Sequence, residues 1–370
     1  MSVRRLRPLA APVAEAARRL TRLEANVALL DRVRPTNLTA ELSRLTRAFE
    51  AGQRPEPAFA YAPRAQLGAV RRELLELAAA LDPHELEQRQ LAERAHELEL
   101  EASLAERVGA ADFAAVAARR FPLADSAHDA GKLADQLLTA PDRANPQEPA
   151  EKLHASDDTR DPESLWSLLS RRLSAERFAV RLEIVVGLVS LAAVADGVVR
   201  IRAGARLSAK AGERIALHEV EGHVRPRVTG PALGGAFVAG TARASEDEEG
   251  RAIWLEERAG LLDAERRREL GRRYLAAESL RQGAAFWDTV TLLGRRGATL
   301  AAAVELAARV HRGGGLGREL IYLQGYQRVG LAFARRPELE PVLGSGRVSL
   351  SAANALLAGS IELDDDWNVV

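Results

Sequence analysis

The chain has 370 residues, 47% hydrophobic and 28% charged, enough to bury one large core or two. Its formal net charge is zero, so no global field attracts nucleic acid or an acidic membrane, and neither is expected as a partner. Cysteine is absent, which excludes disulfides and thiolate chemistry but leaves room for a metal site of histidine and carboxylate.

The first residues are basic but lack the long apolar run of a secretory signal, so a cytoplasmic location is expected. Residues 1–140 read as a helical N-terminal region. From Val13 to Val33, the positions Val13, Ala17, Leu20, Leu23, Val27 and Leu30 recur at helical spacing and form one apolar stripe. Asn37 offers a cap and Glu41 an early acid to a second helix ending near Gly52. Three prolines between Pro55 and Pro63 make that stretch extended. Two further helices, 65–80 and 84–107, are separated by Asp82-Pro83. Residues 141–164 are polar and proline-rich and read as a linker.

Residues 165–345 read as the catalytic region. After a short helix at Leu165, the apolar period changes to two. Strands are expected at 179–186, 191–195 and 198–202, the last two joined by an Asp196-Gly197 turn. The most apolar stretch, Ile184 to Ala195, is too short to span a bilayer and suits a buried strand. Ser208 is placed to cap a helix running through His223. Helices resume from Ile253 to Phe333, with loops near Gly297 and Gly313–Gly317. Residues 346–370 add a helix and a solvated acidic tail, Glu362 to Asp366. The fold class expected is α+β and predominantly helical, with a zincin-like metal helix beside a small antiparallel sheet.

The chemistry centres on Leu217-His-Glu-Val-Glu-Gly-His-Val224. The HExxH motif sets its histidines four apart on one helical face. Here His218 and His223 are five apart, about 140° around an ideal α-helix. Both reach one metal if a π-type bulge inserts the extra residue, or if the helix ends and turns near Gly222. In that arrangement His218 and His223 are metal ligands, and Glu219 takes a proton from the activated water. A third ligand must come from elsewhere. Glu256 and Glu257 are adjacent on a helix, so only one faces the metal. The run Glu246-Asp-Glu-Glu249 could also donate, but a charge run of this kind reads as a solvated loop.

These motifs resemble the bacterial proteins named for a QEGLA motif and their relatives, the microtubule-associated tyrosine carboxypeptidases. The likeness rests on HExxxH at His218–His223 and on Glu256-Glu-Arg-Ala-Gly260. It extends to Pro35-Thr-Asn37, Glu41, Phe49, Pro57-Ala-Phe-Ala-Tyr61, Arg309-Val-His-Arg-Gly-Gly314 and Tyr322-Leu-Gln-Gly325. Arg258 stands where the motif has glycine. The resemblance implies zinc as cofactor, Glu257 as third ligand with Glu256 as alternative, and removal of a C-terminal residue from a peptide or protein.

Arg312 and Arg318, at the glycine-rich turn, are candidates to bind a substrate carboxylate through their planar guanidinium forks. Tyr322 is a candidate donor to a tetrahedral oxyanion. The strand 198–202 is expected to offer an edge for an extended peptide. The alternatives are a zinc endopeptidase or amidase, and a helical binding protein with a structural metal.

Overall fold

A computed structural model describes residues 11–123, 127–139, 152–195, 197–232 and 234–359. The N-terminal helices are α1 (Ala11–Val27), α2 (Leu29–Arg32), α3 (Leu38–Glu50), α4 (Gly68–Ala79), α5 (Leu86–Glu106), α6 (Phe113–Arg120) and α7 (Ala127–Leu138). The predicted stripe of α1 is buried at Val13, Ala17, Leu20, Leu23 and Val27. Leu30 leaves it and is 45% exposed. The cause is a break at Ala28, whose φ of 41° ends the helix and resets its phase.

Asn37 precedes α3 but does not cap it through its side chain. Its amide grips the extended arm instead: Nδ2 donates to the Ala58 carbonyl and Oδ1 accepts from the Ala60 amide. Buried Glu41 accepts from the Ala58 amide, and Trp287 Nε1 donates to the Pro55 carbonyl. Thus the proline-rich stretch is extended as predicted, and it is tied down on both sides.

The strands are β1 (Leu153–Ala155), β2 (Arg181–Val185), β3 (Ala192–Ala195), β4 (Val198–Arg202) and β5 (Arg206–Ser208), with α8 (Leu165–Ala175) between the first two. β1 pairs antiparallel with β5, which gives part of the predicted linker a regular structure. The other sheet has the order β2-β4-β3 and is mixed, since β2 runs parallel to β4 and β3 antiparallel. The β3–β4 connection is the expected two-residue turn, with Gly197 at φ 71°; Asp196 lies outside the described residues. Two expectations fail here. Strand 198–202 is the central one and has no free edge; the strand with an outer edge that packs beside the segment His218–Val224 is β3. The apolar stretch 184–195 is not one buried strand, because the chain turns at Gly187 (φ 72°) and leaves Val186 87% exposed.

Ser208 Oγ accepts from the Ala211 amide and starts α9 (Ala209–Leu217), as the sequence indicates. A π-helical turn, His218–Val224, follows directly, then α10 (Arg225–Thr229), a short 3₁₀ turn and α11 (Gly235–Ala239). The remaining helices are α12 (Ala244–Arg258), α13 (Ala264–Arg281), α14 (Phe286–Arg295), α15 (Leu300–Gly315), α16 (Leu320–Arg335), α17 (Leu339–Ser345) and α18 (Leu350–Gly359). The largest apolar core draws on both halves of the sequence, from Leu20, Leu91 and Phe113 to Tyr274, Val310 and Leu323. No described helix is long and apolar enough to cross a membrane. The acidic tail lies outside the described residues.

Candidate metal centre

The π-helical turn resolves the five-residue spacing. The i→i+5 hydrogen bonding widens the turn by an extra residue, which brings His218 and His223 towards the same side. Their ring centroids lie 5.0 Å apart. Gly222 lies within the π-helical turn without a left-handed φ, and its lack of a side chain serves packing. A Cβ there would stand 2.6 Å from Cβ of Ala252, so glycine lets α12 close against the turn.

Helix α12 supplies three carboxylates to the two rings. Glu256 Oε1 lies 2.7 Å from His218 Nδ1, and Glu248 Oε1 lies 2.5 Å from His223 Nδ1. Glu249 Oε2 sits between the opposite nitrogens, 3.3 Å from His218 Nε2 and 3.6 Å from His223 Nε2. One donor atom each from His218, His223 and Glu249 falls within 4.8 Å of the others, and all three residues are buried. Two nitrogens and one carboxylate suit zinc, and the Nδ1–carboxylate bonds fix the tautomer and direction of ligating imidazoles. The residues present therefore fit a divalent ion.

The supporting carboxylates are themselves held. Arg266 donates to Glu256 from Nε and Nη2, both at 3.0 Å, and Arg214 stands 3.6 Å away. Arg227 donates to Glu248. Burial alone would raise the Glu256 carboxyl, but Arg266, His218 and Arg214 hold it down at about 2. Burial likewise opposes ionisation of Glu249, yet His223, His218 and Arg318 hold its carboxyl well below the ordinary range. Burial would lower His223, but Glu249 and Glu248 raise it well above its usual value. Without an ion the cluster thus keeps protons that a metal would displace.

Glu219, 8% exposed, forms no hydrogen bond or ion pair among the described residues. Burial pushes its carboxyl up, against the opposing pull of His223 and His218. Glu257 does not join the histidines. Its side chain is 40% exposed, accepts a 2.6 Å bond from Tyr326 Oη and approaches Arg267. Glu249 and Glu256 are seven residues apart and share one face of α12, whereas Glu257 lies about 100° further round. The run Glu246–Glu249 is not a solvated loop: it forms the first turns of α12, and each of its acids is at most 7% exposed.

A readable signal for Glu249 was present in Glu248-Glu249-Gly250-Arg251-Ala252, which keeps glycine directly after the acid. That glycine is required by packing. A Cβ on Gly250 would come within 2.3–2.8 Å of the Gly325 and Tyr326 backbone, so α12 and α16 cross at a glycine pair.

The predicted substrate groups lie next to this centre. Arg318 Nη2 donates to Glu249 Oε1 at 3.2 Å and Nη1 to Tyr322 Oη at 3.0 Å. Arg309 also donates to Tyr322 Oη, and pairs with Glu319 at 2.7 Å. Arg312 is buried in the same group of charges. Two shallow surface hollows, one beside Arg160 and Trp166 and one beside Leu42 and Glu305, lie away from the cluster.

The family described as "Microtubule-associated tyrosine carboxypeptidase" matches residues 46–360. No curated protein and no solved structure matches the chain. With the match covering most of its length, the chain belongs to the microtubule-associated tyrosine carboxypeptidase family.

Proposed function

We propose that this protein is a zinc metallopeptidase of carboxypeptidase type, with His218, His223 and Glu249 as the metal-holding residues. The observation that carries this reading is the convergence of three buried donors beside a buried, unpaired Glu219. A zinc ion, when bound, supplies Lewis acidity and a nucleophilic water near neutral pH. Glu219 accepts a proton from the attacking water and returns it to the leaving amine; its raised pKa suits a group that must both take and give. Glu256 and Glu248 orient the imidazoles. Tyr322, already accepting from two arginines, has a hydroxyl hydrogen available for a developing oxyanion. The cytoplasmic substrate is the free C-terminus of a peptide or protein.

The test is metal analysis of the purified full chain joined to mass spectrometry of peptides with varied C-termini. Stoichiometric zinc and single-residue removal are expected. Glu219→Gln preserves size but is not a base, so it should keep the metal and lose at least about 100-fold in turnover. Equal rates in parent and variant would remove Glu219 from the chemistry.

A further inference from the structure

Arg312 is the buried charge that the surrounding contacts leave over. Arg309 is matched by Glu319, and Arg318 by Glu249. Arg312 is 6% exposed, its Nε has no partner, and its side chain makes no hydrogen bond or ion pair among the described residues. Other arginines with a buried, orphaned nitrogen are anchored through another atom: Arg251 to the Glu221 carbonyl, Arg328 to Asp247, Arg347 to Glu24. An unpaired buried guanidinium is costly, and such a cost persists where a ligand supplies the missing charge.

The backbone around it is built to hold this position. Helix α15 is interrupted at Arg312, whose ψ of 151° is extended, and at Gly313 and Gly314, with φ of 73° and 110°. Three elements of the N-terminal half clamp the kink. Tyr61 Oη, at the end of the extended arm, accepts from the Gly313 amide at 2.7 Å. The Gly109 amide donates to the Gly313 carbonyl at 2.7 Å. The Phe113 ring packs so closely that a Cβ on Gly313 would lie 2.7 Å from it. Burial, with Arg309 and Arg318 adding like charge, brings the Arg312 pKa down to about 10, which still leaves it cationic at neutral pH.

We propose that Arg312 is the anchor for the free carboxylate of the substrate chain end, and that Tyr61 is a positioning residue that fixes the kink presenting it. This deepens the peptidase reading and rests on it for the choice of ligand. A planar guanidinium offers a carboxylate two parallel hydrogen bonds, and the terminal carboxylate distinguishes a chain end from an internal peptide. The extended arm, clasped by Asn37 and Glu41, thereby gains a role at the site, which explains why the arm ends on the tyrosine that meets Gly313.

The experiment measures binding, so that it does not depend on turnover. N-acetyl-alanyl-tyrosine and its C-terminal amide are titrated into the full-length protein carrying Glu219→Gln, by calorimetry. The acid should bind about tenfold or more tightly than the amide, the scale of a charge-assisted pair. Arg312→Ala should erase that preference and leave amide affinity unchanged; Arg312→Gln serves if the alanine variant does not fold. Arg312→Lys should restore part of it. Tyr61→Phe, which removes only the hydroxyl, should reduce the acid-to-amide ratio several-fold with no change in amide affinity. No preference in the parent, or full preference in Arg312→Ala and Arg312→Gln, overturns the Arg312 anchor; an unchanged ratio in Tyr61→Phe overturns the role of Tyr61. Acid preference without any peptide hydrolysis by the parent leaves the carboxylate site standing and removes the peptidase reading. Hydrolysis without acid preference does the reverse.

Discussion

At the scale of residues, the identity of the third ligand separates two outcomes of substitution. Glu249 lies between the two Nε2 atoms, while Glu257 is bonded to Tyr326 at the surface. Glu249→Gln, like His218→Ala or His223→Ala, should abolish stoichiometric zinc measured by plasma mass spectrometry. Glu257→Gln should leave zinc unchanged. Glu256→Gln should weaken zinc by about 10–100-fold, since it disturbs only the orientation of His218. Zinc lost from Glu257→Gln and retained by Glu249→Gln would return the ligand to its sequence-based assignment. The approach of His218 to His223 was legible because they share one short segment, where spacing alone carries meaning. That Glu249 rather than Glu257 faces them was signalled only by the glycine after Glu249. Which face of α12 meets the π-helical turn is set by Gly222 and Gly250 packing against distant partners.

At the scale of elements, α12 is held between the π-helical turn and α16 by close backbone approaches. Gly222 admits Ala252 on one side, and Gly250 meets Gly325 on the other. Adding a methyl at Gly250 forces the helices apart, because the atoms it would strike are backbone and have no rotamer to adopt. Gly250→Ala gains helix propensity, roughly 1 kcal/mol, yet should still destabilise the protein by about 1–3 kcal/mol net. It should also reduce zinc affinity, since Glu249 precedes Gly250 on the displaced helix. Urea denaturation and zinc titration test both; a variant as stable as the parent would show that the crossing is looser than these distances imply. The π-helical turn itself was foreseeable from the five-residue spacing. The sheet order was not, because a parallel β2–β4 pair and an antiparallel hairpin present the same alternating pattern in sequence.

At the scale of the whole molecule, a net charge of zero conceals how much charge is buried between distant segments. Arg120 of α6 pairs with Glu97 and Glu101 of α5 and with Glu246 of α12, and Arg347 reaches back to Glu24 of α1. Such pairs leave no trace in composition, so the union of N- and C-terminal halves in one core was not readable. His311 offers a measure of that union. It lies on α15, hydrogen-bonds Thr289 at 2.9 Å and packs edge-on to Phe286, which contacts Phe59 of the arm. Burial lowers its pKa from 6.5 to about 4. The folded protein therefore keeps His311 neutral where the unfolded chain already binds a proton. Its contribution is fully present above about pH 6.5 and declines as pH falls towards 4, by about 1.4 kcal/mol for each pH unit. Between pH 6.5 and 5 the parent should lose about 2 kcal/mol more stability than His311→Gln, which has no titrating group there. Taking the difference between parent and variant cancels the metal cluster and the carboxylates, which titrate in both. Urea midpoints converted to free energies at half-unit steps of pH would show the two curves converging as pH falls. Parallel curves across that window would mean that His311 is solvated, and that the packing of α15 against α14 is less tight than its geometry indicates.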